Sequence, residues 1–207
     1  MTDENFFDIV YTVKGTHETR EMYERWAKVY DRDVGENEYQ QPTRCAQALL
    51  GQLPDMNSKI LDVGCGTGLS GMALHTAGYA KIDGCDLSQA MLNKASELEI
   101  YDRLFSCDLN LPPLDVANNT YDALTAVGVF SFGHIQPDAM NDLLRIVKPG
   151  APIIICLNDH FYNEGSLTAK LEALEAAGDL SILNQEHGDH LPKKNLKGWV
   201  LTLQKSE

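Results

Sequence analysis

Ile60-Leu61-Asp62-Val63-Gly64-Cys65-Gly66-Thr67-Gly68-Leu69-Ser70-Gly71 carries two overlapping glycine signatures that suit different ligands. Starting at Gly64, an acidic strand end is followed by G-x-G-x-G. Starting at Gly66, the same residues spell G-x-G-x-x-G, the pattern of dinucleotide pyrophosphate sites. Both put a tight glycine turn between a strand and a helix, where backbone approaches a ligand closely and first-turn N–H groups are free. Asp86, about 20 residues on, suits ribose hydroxyls in either case. Asp62 decides between them. An ionised side chain there, facing the charged end of the ligand, repels a pyrophosphate and attracts the ammonium of a bound amino acid.

Outward from this stretch, short apolar runs alternate with helix-like periods, the mark of an α/β fold. Strands are expected at Lys59–Val63, Lys81–Asp86, a run ending at Cys107, Tyr121–Val127 and Ile153–Leu157. Helices are expected at about Leu69–Ala77, after Ser88 as N-cap, and at about Pro137–Val147 and Ser166–Ala177. Two last strands, near Leu180–Asn184 and Trp199–Gln204, have no helix between them and suit an antiparallel hairpin at one sheet edge. His187 and His190 fall in their connection. The whole predicts a Rossmann-like, mostly parallel sheet of seven strands with helices on both faces. Upstream, Met22, Trp26, Val29 and Tyr30 recur at helical spacing, and Pro42–Leu50 forms a second helix ended by Gly51. One domain spans residues 1–207, with an N-terminal helical lid over 1–52 and a core over 58–207.

The chain is 43% hydrophobic with a formal net charge of −13. Such an acidic surface disfavours nonspecific binding to nucleic acid, whose phosphates it repels. No apolar run reaches the roughly 18 residues that span a bilayer, and the acidic start is unlike a secretory signal. The expectation is a cytoplasmic protein away from membranes. Five cysteines, widely spaced and without a C-x-x-C pair, indicate neither a disulfide framework nor a zinc site.

Asp108 ends the third strand, where a carboxylate is placed to accept a hydrogen bond from an exocyclic amine such as that of adenine. Asp62, Asp86 and Asp108 thus end three consecutive strands beside the glycine loop. S-adenosylmethionine brings an ammonium, a ribose and an adenine to match. With LDVGCGTG, GCDLS and CDLN in hand, the chain resembles a class I S-adenosylmethionine-dependent methyltransferase over roughly Lys59–Lys205. The resemblance implies S-adenosylmethionine as cofactor, held by Asp62, Gly64, Cys65, Gly66 and Gly68, with Asp86 on the ribose. It also implies Leu87, Met91, Asp108 and Leu109 around the adenine, and Val127 at the end of the fourth strand. MYERWAKVYDRDV is similar to the Y-x-x-W-A-x-x-Y-D segment of the small methyltransferase-like group named for the Williams-Beuren syndrome chromosome region. By that likeness Tyr30 covers the methionine end, and Tyr23 or Trp26 walls the substrate pocket; Phe130 and Asn158, in the loops after the fourth and fifth strands, are expected to complete it.

A sulfonium is already an activated methyl donor, so transfer needs in-line approach more than a catalytic side chain. His134 and His160, after the fourth and fifth strands, are the candidate bases for an acceptor that must lose a proton. The acid that a catechol-type metal site needs after the fourth strand is missing from Gly128–Ser131, so no metal is expected. The expected acceptor is a small molecule. Lys193, Lys194, Lys197 and Lys205 against the single acid Asp189 suit a carboxylate or phosphate on it. Competing possibilities are a protein side-chain methyltransferase with an open groove and a noncatalytic module that binds S-adenosylmethionine or its demethylated product. A third is a nicotinamide-dependent oxidoreductase using Gly66, Gly68 and Gly71.

Overall fold

The computed structural model describes residues 6–10, 12–130 and 134–207. Seven strands form one sheet in the order β3-β2-β1-β4-β5-β7-β6. They are β1 Lys59–Val63, β2 Lys81–Asp86, β3 Arg103–Ser106, β4 Ala123–Val127, β5 Pro152–Asn158, β6 Leu180–Leu191 and β7 Leu196–Lys205. The first five run parallel, and β7 lies antiparallel to both β5 and β6. The order reverses direction at β1, flanked by β2 and β4, which puts the ligand crevice of such a sheet above these strands' carboxyl ends.

β1, β4 and β5 are buried along almost their whole length because helices cover both faces. On one face α7 (Ala139–Ile146) and α9 (Ser166–Ala177) set Leu143, Ile146, Leu171 and Leu174 against the sheet. On the other, α4 (Gln41–Gln52) and α5 (Leu69–Thr76) pack Cys45, Leu49 and Leu74 against Ile60, Ile154 and Cys156. Each fully buried leucine or isoleucine contributes roughly 1.5–3 kcal/mol. The expected N-cap of α6 (Gln89–Ser96) is present, with Ser88 Oγ accepting from Met91 N at 3.2 Å. No described helix is long and apolar enough to cross a membrane.

Three expectations change. α4 is a layer of the core, so the cover over the strand ends is narrower than residues 1–52. It consists of α1 (Phe6–Ile9), α2 (Gly15–Trp26) and α3 (Tyr30–Glu36). The period from Met22 to Tyr30 belongs to two helices, with Trp26 Nε1 donating to Asp33 Oδ2 at 3.0 Å across the break. Finally, β6 and β7 are much longer than the apolar runs that marked them, and a 3₁₀ turn at Pro192–Lys194 joins them. His187 and His190 therefore belong to strand β6, in which Arg44 of α4 donates to the carbonyls of Glu186 at 2.9 Å and Asp189 at 3.0 Å. Ser131, part of the argument about a metal site, lies outside the described residues.

Candidate functional site

Between β1 and α5 the chain turns through Gly64, Gly66 and Gly68, all with left-handed φ (61°, 54° and 99°). A side chain at Gly64 would also meet Val129 Cγ2 at 2.5 Å, so this turn is closed to other residues. Beneath it lies Asp62, fully buried, and its placement corrects the sequence-based expectation. It lines none of the described cavities. Oδ2 accepts from Ser70 Oγ at 2.6 Å and Tyr101 Oη at 2.9 Å, while Oδ1 accepts from Thr125 Oγ1 at 3.1 Å. Burial pushes its pKa up to about 6 against the pull of these three hydroxyls. Asp62 fixes the loop from below. Gly71 serves the same arrangement, since a Cβ there would lie 2.1 Å from Tyr101 Oη. Gly68 opens α5 as a left-handed turn residue and lines neither of the two main cavities described next.

The first cavity sits over the loop and the ends of β2, β3 and β4. Gly64, Gly66, Asp86, Leu87, Met91, Asp108, Leu109, Val127 and Tyr30, all named in the sequence as cofactor candidates, line it together. Asp86 Oδ2 accepts from Gly66 N at 2.9 Å and Oδ1 from Ser88 N at 2.8 Å, which ties the glycine loop to the start of α6. Its pKa is raised by burial, and these backbone donors oppose the rise. Asp108 Oδ1 accepts from Asn110 N at 2.9 Å, but Oδ2 is buried with no partner among the described residues. Cys65 lines a small side chamber with Tyr30, Tyr39, Thr67 and Ser70. Thr19, Cys107, Val129 and Ile135 also wall the first cavity and carried no sequence signal.

A second cavity, about 310 Å³, adjoins the first and shares Tyr23, Tyr30 and Gly128 with it. Trp26, Phe130 and Asn158, named in the sequence as pocket candidates, line it together. So do Phe7, Tyr39, Phe161, His190 and Lys194, making a largely aromatic chamber under the cover helices and the hairpin. Asn158 Oδ1 caps α8 (Asp159–Glu164) by accepting from Phe161 N at 3.0 Å. Burial, helped by the Arg44 guanidinium, pushes the His190 pKa down to about 4 and keeps the ring neutral. Of the four lysines singled out, only Lys194 reaches this chamber, its Nζ 4.5 Å from the centre of the Phe7 ring. Lys193 instead pairs with Glu38 at 3.5 Å.

Neither expected base faces this chamber. His160 is exposed on α8 and lines neither cavity, because the chain turns into a helix directly after β5 and carries it outward. His134 is 3% exposed and lies in the first cavity near Asp108 and Leu109. The cover is held by two carboxylates within the stretch MYERWAKVYDRDV that were not among the expected site residues. Glu24 of α2 accepts from Ser88 Oγ at 3.0 Å and Ala90 N at 3.3 Å at the start of α6. Asp31 accepts from Thr67 Oγ1 at 2.5 Å in the glycine loop.

This arrangement of glycine turn, strand-end acids and capped cavity has known counterparts, beginning with a family model described as a methyltransferase domain that matches residues 60–150. The surrounding chain is similar to human methyltransferase-like protein 27, with 36% identity over 164 residues, 76% of this chain and 66% of that protein. It also resembles a demethylmenaquinone methyltransferase of Corynebacterium kroppenstedtii, 36% identical over 104 residues, 50% of this chain and 43% of that protein. The chain thus spans about two thirds or less of these relatives' lengths. Among solved structures, the [4+2]-cyclase SpnF superposes with TM-score 0.72 at 18% identity, over 94% of this chain and 97% of that one. A possible histamine N-methyltransferase from Thermotoga maritima gives TM-score 0.65 at 17% identity, over 91% and 99% of the two chains.

S-adenosylmethionine is the cofactor of this class, and the residues in the methyltransferase domain fit it. The unpaired Oδ2 of Asp108 is a buried acceptor awaiting a donor such as the adenine amine. Asp86 stands at the end of β2 for the ribose, and Gly64 and Gly66 leave room for close backbone approach.

Proposed function

We propose that the chain transfers a methyl group from S-adenosylmethionine, held in the first cavity, to a small molecule in the second. The observation that carries this is that Tyr30 and Gly128 belong to the walls of both cavities. When bound, the cofactor supplies a methyl group on an electrophilic sulfonium. The chain's part is orientation and exclusion of water, which together lower the barrier without covalent participation. Cover helices and hairpin supply much of the wall of the second cavity, whose volume of about 310 Å³ suits a small acceptor. Rings of Tyr23, Trp26, Tyr39, Phe130 and Phe161 favour a flat, largely apolar acceptor, in keeping with relatives named as quinone methyltransferases.

His190 lies in this wall, but an imidazole with a pKa near 4 is a weak base. The acceptor therefore suits one already ionised at neutral pH, and Lys194 at the same wall favours such an anion. We also place the chain with the small methyltransferase-like group named for the Williams-Beuren syndrome region, on the strength of MYERWAKVYDRDV, and in the cytoplasm. Release of S-adenosylhomocysteine across a panel of aromatic anions and a metabolite extract tests the function. Tight binding of S-adenosylhomocysteine with no acceptor-dependent release would leave a noncatalytic binding module instead.

A further inference from the structure

His134 combines almost complete burial with an unused polar atom. The residue is 3% exposed, and its ring stands edge-on to Tyr23 with centroids 6.1 Å apart. Nε2 is buried and has no partner among the described residues. Burial favours the neutral ring, and a neutral imidazole protonated on Nδ1 presents Nε2 as a bare lone pair. The same cavity wall holds Asp108, whose Oδ2 is likewise buried and unpaired. Asn110 ties the two together: its N donates to Asp108 Oδ1 at 2.9 Å and its Nδ2 donates to the His134 carbonyl at 2.7 Å.

Buried acceptors are costly when left unpaired and are rare in folded proteins. Two in one wall call for a ligand group with two hydrogens to give, and a primary amine on a flat ring is such a group. We propose that His134 Nε2 and Asp108 Oδ2 together take both hydrogens of the exocyclic amine of the cofactor's adenine. His134 is then a specificity residue for the cofactor and not a base.

The proposal rests on the cofactor assignment, and calorimetry separates the two. The full chain is titrated with S-adenosylhomocysteine and with its purine analogue carrying hydrogen in place of the amine. The wild type is expected to prefer the amine by about a hundredfold, corresponding to two hydrogen bonds. His134→Phe keeps the ring edge against Tyr23 and should weaken S-adenosylhomocysteine about tenfold while leaving the analogue unchanged. Equal weakening of both ligands would make His134 a packing residue and overturn the proposal. Should the variant fail to fold, the imidazole ¹⁵N signals of the wild type decide. The Nε2 resonance is expected to move with S-adenosylhomocysteine and stay with the analogue, and an unmoved signal in both overturns the proposal. Binding of neither ligand by the wild type would remove the cofactor assignment itself, and the proposal with it.

Discussion

Tyr101 donates its hydroxyl to Asp62 across 2.9 Å, through a gap that exists because residue 71 has no side chain. Gly71, the last glycine of the pyrophosphate-like pattern, therefore makes room for a tyrosine. Asp62 holds the loop from underneath through three hydroxyls.

Gly71→Ala should destabilise the fold by about 1–3 kcal/mol, the usual range for overpacking a filled site. Thermal or urea unfolding of the variant measures this directly. A midpoint equal to that of the wild type would mean that Tyr101 moves aside freely and that its bond to Asp62 contributes little.

Asp62 makes stability depend on pH in a defined direction. Its folded pKa of about 6 stands above the ordinary 3.8 of the unfolded chain. Below pH 4 both states hold the proton, whereas between pH 4 and 6 the folded state holds one that the unfolded state has lost. The contribution of this group is thus largest at low pH and declines as pH rises through the folded value. Asp62→Asn should gain on the wild type by roughly 1–3 kcal/mol between pH 4 and 7.5, read from denaturation curves at each pH. A difference that does not change with pH would show that the carboxylate stays ionised in the core.

Asp86→Ala should weaken binding of S-adenosylhomocysteine by roughly 1.5–3 kcal/mol, the range for lost hydrogen bonds to a charged group. The loss includes disorder of Gly66 and Ser88, whose N–H groups the carboxylate accepts. Calorimetry gives the dissociation constants, and an unchanged value would take Asp86 out of the site. NAD, titrated in parallel, should give no heat of binding.

Glu24→Gln should loosen the cover more than the core. The charged side chain accepts at the N-terminus of α6, where a carboxylate contributes about 0.5–2 kcal/mol through capping and the helix dipole. Amide exchange in Gly15–Trp26 should accelerate several-fold while β1 and β4 stay protected. Equal protection of α2 in variant and wild type would mean that aromatic packing around Trp26 holds the cover by itself.

The framework of the site was legible because its signals are local. Glycine turns and the acids ending β1, β2 and β3 sit within a few residues of the elements they mark, and Ser88 caps the helix that follows it. What stayed hidden depends on distance along the chain. Ser70, Tyr101 and Thr125 meet Asp62 from 8, 39 and 63 residues away. The extension of β6 was hidden for another reason. Asn184–His187 lie exposed at the sheet edge, so no apolar alternation marks them as strand. With the strand unseen, His190 was assigned to a connection, and its place in the second cavity could not be read.

The long β6–β7 hairpin contributes His190, Leu191, Lys194 and Leu196 to the second cavity and nothing to the first. Under the proposed function, the hairpin bears on acceptor choice alone, while Tyr23, Tyr30 and Gly128 serve both cavities. Exchanges in this ribbon would then redraw what is methylated and leave the walls around the methyl source untouched.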